Sequence, residues 1–182
     1  MTLDPPIDAV YSSPYYRCLQ TITPFVELKQ QQLKDQQSTQ DSAAATIRPE
    51  HGIGEFFGAA PFDHPIPASP KRLKELFPAY DVDYVSAITP SRKGETIKDL
   101  YGRVAAAVRA IIERCDAEGH RAVILCTHAA VVITLGRVLT GRVPKAVEAE
   151  DFHAFTCGLS TYRRRGTGAK RTPTLGPGKF VL

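Results

Sequence analysis

No apolar run in this chain approaches the roughly 20 residues needed to cross a bilayer. The opening MTLDPPIDAV has neither the basic start nor the apolar core of a secretory signal. No C-x-x-C pair occurs, and Cys18, Cys115, Cys126 and Cys157 are widely scattered. That spacing argues against a zinc site or a disulfide framework and reads the four as small core or near-core residues. Together these absences imply the nucleus or cytoplasm, no membrane association, no metal and no other cofactor. What is present, 43% hydrophobic and 23% charged residues among 182, is ordinary for a single globular domain.

Residues 163–182 contain no acid. They carry Arg163, Arg164, Arg165, Lys170, Arg171 and Lys179. With these six set aside, 17 basic residues face 19 acidic ones, so the net charge of +4 belongs to a tail on a slightly acidic body. Such a run reads as a solvated or nuclear-localising segment, with no direct sequence-specific nucleic-acid binding expected.

The pattern along the chain alternates between strand and helix. Residues 7–12 predict a strand, and Pro14 to about Lys29 a helix with Ser13 as N-cap and Pro14 at the first helical position. Pro24 should kink or break that helix. Residues 29–46 hold six glutamines and almost nothing apolar, which reads as a flexible insertion whose first residues may extend the helix. Residues 52–70 are rich in Gly and Pro and read as loop, as do 79–93. Ser69-Pro70 opens a short helix that Pro78 closes. From Thr96, with Asp99 completing a capping box, a long helix carries Ile97, Leu100, Tyr101, Val104, Val108, Ile111, Ile112 and Cys115 at helical spacing. AVILCT then reads as a strand buried on both faces, and residues 129–141 as a helix stopped by Gly141 and Pro144. Residues 155–164 read as a last strand. This grammar implies an α/β fold with a mostly parallel sheet. The expected organisation is one domain over 1–164, interrupted by the 29–46 insertion, followed by a disordered basic tail over 165–182.

Three blocks put reactive side chains where α/β folds build sites, at the carboxyl ends of strands. They are SSPYYR with Arg17, GIGEFFG with Glu55, and LCTHAA with His128. Singly, Arg17 reads as a surface ion pair, Glu55 as a solvated loop residue and His128 as a structural histidine. Combined, they describe a phosphoryl pocket. Arginine holds phosphoryl oxygens with parallel hydrogen bonds, a helix start complements it, and a histidine adds another donor. A carboxyl beside Phe56 and Phe57, whose apolar character favours its protonated form, serves as general acid for a leaving oxygen. The spacing of His51, His64, His120 and His153 supports no metal site.

The three blocks, in this order, resemble those of the histidine phosphatase superfamily, the phosphoglycerate-mutase-like proteins. SSPYYRCLQT is similar to the family's S-S-P-x-x-R-x-x-Q-T block, GIGEFFG to its acid/base loop, and LCTHAA to its second-histidine block. The resemblance covers roughly residues 7–164. It implies a three-layer α/β/α fold, Arg17 and His128 as phosphoryl-binding residues, and Glu55 as proton donor and later base for water, with a phosphomonoester as substrate. The wording of GIGEFFGAAPFDHP and EDFHAFTCGLSTYRR is also similar to the phosphatase-like subunit family of the fungal transcription factor TFIIIC. That implies a non-catalytic docking role among TFIIIC subunits as the alternative to phosphomonoester hydrolysis. A phosphosugar mutase fits less well, since nothing resembles the longer substrate-binding insertion of mutases.

The family's first strand ends in R-H-G, whose histidine attacks phosphorus. No R-H-G occurs in this sequence. The expectation is therefore a truncated chain lacking the first strand and the nucleophile, less stable than an extended form. The phosphate clamp and the proton donor are present without the histidine they serve.

Overall fold

A computed structural model describes residues 5–35, 43–145 and 150–164, and the backbone of 180–181. The elements in chain order are β1 (Ala9–Ser12), α1 (Tyr16–Asp35), β2 (Arg48–Pro49), α2 (Pro70–Leu76), α3 (Ile97–Glu118), β3 (Val123–Cys126), α4 (Ala129–Thr140), β4 (Arg163–Arg164) and β5 (Phe180–Val181). β1 is the centre of a three-stranded parallel sheet ordered β2-β1-β3. Ala9 stands opposite Val123, and Tyr11 opposite both Leu125 and Arg48.

Successive strand residues point to opposite faces of a sheet, and here each face has its own core. Ala9 and Tyr11 of β1, with Val123 and Leu125 of β3, pack against Leu100, Val104 and Val108 of α3 and Val131 and Leu135 of α4. Val10, Ile124 and Cys126 face the other way, onto Leu19, Ile22 and Val26 of α1 and Leu73 of α2. The result is a three-layer α/β/α arrangement with a parallel sheet, as the sequence predicts.

The capping signals hold where they are strongest. The Thr96 hydroxyl accepts from the Asp99 N–H, and the Asp99 carboxylate accepts from the Thr96 N–H. The Ser69 hydroxyl accepts from the Arg72 N–H ahead of Pro70. Gly141 ends α4 in the left-handed region at φ 72°.

Several expectations are corrected. α1 begins at Tyr16, not Pro14: the Ser13 hydroxyl lies 2.8 Å from His128 Nε2 and takes only a long 3.5 Å bond from the Tyr15 N–H. The helix also runs through Pro24 to Asp35. Pro24 and Gln20, whose carbonyl the missing N–H would have bonded, are both on the exposed side, which leaves that carbonyl open to solvent. Residues 29–35 of the expected insertion are thus helical, Ala43–Ala45 form a 3₁₀ turn, and 36–42 lie outside the described residues. β3 is half-buried rather than enclosed, since no strand pairs with its outer edge among the described residues. Ile97, at the first turn of α3, is exposed. The expected strand over 155–164 reduces to Arg163–Arg164, because a turn at Thr156–Cys157 closes with the Gly158 N–H on the Phe155 carbonyl. Cys157 lies in that turn and is exposed, unlike Cys18 and Cys115, which are buried as expected. Most of 165–182 lies outside the described residues, although β5 pairs antiparallel with β4.

Candidate functional site

Each of the three blocks follows the carboxyl end of a strand of the central sheet, so the parallel arrangement delivers them to one end. β1 leads into Ser13 and the first turn of α1, β2 into Glu50 and the Glu55 loop, and β3 into Thr127 and His128. A 3₁₀ turn at His51–Ile53 starts the acid loop.

The loop is fixed from below by two buried charged groups. The Glu50 carboxylate is fully buried and accepts from the backbone N–H of Gly52, Ala87 and Ile88 and from the hydroxyls of Tyr84 and Ser86. Gly52 has no room for a side chain, since a Cβ there would lie 2.5 Å from the Ala107 Cβ and 2.8 Å from Glu50 Oε1. Arg103, buried on α3 and paired with Glu95, donates to the carbonyls of Gly52 (2.9 Å) and Gly54 (3.1 Å). The carbonyl between them, on Ile53, accepts from the Thr127 hydroxyl at 2.6 Å. Three consecutive carbonyls are therefore held, and Glu55 follows on a pinned stem.

The predicted site residues meet on one atom. Arg17 Nη2 donates to Glu55 Oε2 at 2.6 Å, and His128 Nδ1 lies 3.1 Å from the same oxygen. The Arg17 side chain is 58% exposed, Glu55 23% and His128 only 3%, so the trio reaches from the surface to the interior. The other Glu55 oxygen accepts from the Phe56 N–H. Glu55 thus faces an arginine donor and a histidine ring nitrogen, not the phenylalanine rings that the sequence suggested. Phe56 packs into the core, while Phe57 stacks on His64 at 5.1 Å.

His128 is held from its other side. Its Nε2 is 2.8 Å from the Ser13 Oγ, and the Cys18 Sγ lies 3.5 Å from the same nitrogen. The neighbouring Cys126 thiol, and then burial, push the Cys18 thiol well above its ordinary range. A thiolate is disfavoured there, so Cys18 packs rather than reacts. The Tyr15 ring meets His128 edge-on at 5.6 Å and lies under the Arg17 guanidinium at 5.4 Å. Burial raises the Tyr15 phenol, and its hydroxyl donates to the Pro65 carbonyl at 2.6 Å.

The structure brings together Arg17, Glu55 and His128, the three candidates the sequence singles out, and adds Ser13, Thr127, Glu50 and Arg103, which it does not. Ser13 was assigned to a helix cap. Arg103 carried a legible signal, since three and four residues on either side of it lie the apolar positions Leu100 and Ala107 of the buried stripe. Glu50 carried none. Among the described residues no group of three or more His, Cys, Asp or Glu side chains is placed to hold a metal ion.

A family model for the histidine phosphatase superfamily (branch 1) matches residues 57–172. The chain belongs to the histidine phosphatase superfamily. The matched segment includes His128, whereas Arg17 and Glu55 precede it; Glu55 lies against His128, and Arg17 donates to Glu55. The transcription factor tau 55 kDa subunit of Saccharomyces cerevisiae is 30% identical over 171 residues, covering 89% of this chain and 36% of that protein. The fold is shared with the ecdysone phosphate phosphatase of Bombix mori, solved in complex with tungstate. That structure gives a TM-score of 0.53 at 23% identity, over 85% of this chain and 54% of the other. The chain therefore spans about a third of the curated relative and about half of the solved one.

Proposed function

We propose that Arg17 and His128 form a clamp for the phosphoryl group of a phosphomonoester, with Glu55 as the proton donor to the leaving oxygen. The observation that carries this reading is the convergence of Arg17 Nη2 and His128 Nδ1 on one oxygen, Glu55 Oε2. An arginine donor and a histidine ring nitrogen gathered on one anionic oxygen make an oxyanion site, and a phosphoryl oxygen has the charge and size to replace the carboxylate. Glu55 must then swing aside, which leaves it next to the bridging oxygen. Superfamily membership supports the same roles.

Hydrolysis needs a histidine nucleophile that the sequence does not supply in an R-H-G block. With one provided, its imidazole nitrogen bonds to phosphorus as the P–O bond to the leaving alcohol breaks. Glu55 delivers a proton to that oxygen, and then accepts one from the water that cleaves the phosphohistidine. The clamp itself is testable without turnover. Titration of the 182-residue chain with inorganic phosphate, followed by calorimetry, should give saturable binding. Arg17→Ala and His128→Ala should each weaken it by about tenfold or more, the worth of one charge-assisted hydrogen bond. Equal affinity in all three proteins would refute the clamp.

The similarity to the tau 55 kDa subunit supports a second role, as a docking domain within a multi-subunit transcription factor, with a nuclear location following from it. The two roles are compatible. Co-purification of the tagged chain with the other subunits of such a factor, in the organism that encodes it, is the expected result. Recovery of the chain alone would count against docking.

A further inference from the structure

Ser13 stands at a strand-to-helix turn, between the end of β1 and the start of α1, and the phosphate clamp makes no chemical use of its hydroxyl. Its Oγ is 2.8 Å from His128 Nε2, and the other ring nitrogen, Nδ1, is 3.1 Å from Glu55 Oε2. Hydroxyl, imidazole and carboxylate thus follow one another in series, each drawn from a different part of the chain. We propose that Ser13, His128 and Glu55 form a serine–histidine–carboxylate relay that makes Ser13 a nucleophile toward short-chain carboxylic esters. This is acyl transfer, a reaction apart from phosphomonoester hydrolysis, and it does not rest on the clamp.

The hydrogen bonds fix where each proton sits. A carboxylate only accepts, so Nδ1 carries the ring hydrogen and donates to Glu55, and Nε2 keeps its lone pair. Ser13 Oγ accepts a long 3.5 Å bond from the Tyr15 N–H and gives its own hydrogen to Nε2. Cys18 Sγ, 3.5 Å from the same nitrogen, is the weaker claimant, because a thiol donates poorly. Both distances fall within the reach of roughly 2.6–3.2 Å that joins a nucleophile to its base and the base to its orienting group. In the reaction, Ser13 Oγ bonds to the ester carbonyl carbon as its proton passes to Nε2. The tetrahedral intermediate expels the alcohol, which takes that proton and leaves an acyl ester on Ser13. Water then adds to the acyl carbon, giving its proton to Nε2, and the returning proton restores the serine as the carboxylic acid departs. The N–H groups of Tyr16 and Arg17, in the first turn of α1, have no helical carbonyl to bond, and Ser13 lies just ahead of that positive helix end, which suits an oxyanion. Ser13 is fully buried and His128 is 5% exposed, so bulk water is kept from the pair. Pro14 and Glu55 border a cavity of about 430 Å³, which puts open volume one residue from Ser13. A nucleophile set behind that wall suits a small acyl group, hence the assignment to short-chain esters.

The test is incubation of the 182-residue chain with para-nitrophenyl acetate, read both as release of the phenol and as the position of the acetyl group in the digested protein. The expected result is an acetyl group on Ser13. Ser13→Ala and His128→Ala should each slow acetylation by about a hundredfold, the worth of a positioned nucleophile and base. Ser13→Cys keeps a nucleophile at the same place and should still carry the acetyl group at position 13. Glu55→Gln should slow acetylation by about tenfold or more, since an amide no longer supports the imidazolium. Acetyl groups confined to Cys157 or to lysines, or a Ser13→Ala rate equal to the parent's, would overturn the relay. Either result leaves the clamp standing, because inorganic phosphate binding is measured separately.

Discussion

Glu50 and Glu55 are five residues apart on one segment, and they occupy opposite surroundings. Glu50 is sealed from water and surrounded by three backbone N–H groups and two hydroxyls, all belonging to its own framework. Glu55 is partly exposed and faces two side chains, Arg17 and His128, that come from the ends of two other strands. The donors of Glu50 are backbone N–H groups and hydroxyls that the folded loops hold in place around it. The donors of Glu55 are long side chains that another anion can claim. The difference teaches how the fold separates structure from chemistry. One carboxylate shapes the loop, and the next is left in exchangeable contact at its tip.

The sharpest way to break the comparison is to remove each carboxylate in turn. Glu50→Ala should destabilise the fold on the order of 4 kcal/mol by stranding several buried donors. Glu55→Ala should cost about 1 kcal/mol or less, as expected of a partly exposed ion pair. Urea unfolding of both variants measures this, and equal losses would erase the distinction. Arg103→Leu ranks next, at about 3 kcal/mol, because it leaves Glu95 buried without its partner and frees two loop carbonyls. It should also weaken phosphate binding, since the stem of Glu55 loses its anchor. A stability loss with loop chemical shifts unmoved would contradict that link.

Ser13→Ala should cost about 1 kcal/mol through the lost hydrogen bond to His128 Nε2. Its more telling readout is the His128 imidazole nitrogen spectrum, which should show a mixture of tautomers where the parent shows one. Ser13→Thr should restore it. The smallest effect concerns His51, beside Glu50, whose ionisation is held below the ordinary 6.5 by burial of its ring. The unfolded chain binds that proton more readily, so the stabilisation is complete above about pH 6.5 and is lost as pH falls through the folded value. Thermal unfolding between pH 7.5 and 5 should show the decline, and His51→Gln should flatten it.

The parts of this design that repeat along the chain were legible in advance. The three blocks, the capping box at Thr96 and the run of α3, β3 and α4 follow from local rules, and each is where its residues imply. The parts that depend on who stands opposite were not. Glu50 has no sequence mark, because four of its five donors come from residues 84–88, far along the chain. Ser13 bonds a histidine 115 positions away, and that long-range contact overrode its tendency to cap α1. β3 reads as an enclosed strand from its apolar run, yet its outer edge is open among the described residues, and only the sheet order reveals this. Phe56 and Phe57 suggested an apolar seat for Glu55, but the loop turns the carboxylate toward Arg17 and sends the rings elsewhere.

The central claim is that Glu55 occupies the seat of a phosphoryl group. Inorganic phosphate titrated into Glu55→Gln tests it most directly, because that substitution keeps the shape and removes the competing charge. The account predicts binding about tenfold tighter than in the parent chain at pH 7.5, the effect of about 1.4 kcal/mol, and loss of that gain when Arg17→Ala is added. Affinity in Glu55→Gln equal to or weaker than the parent's would contradict it.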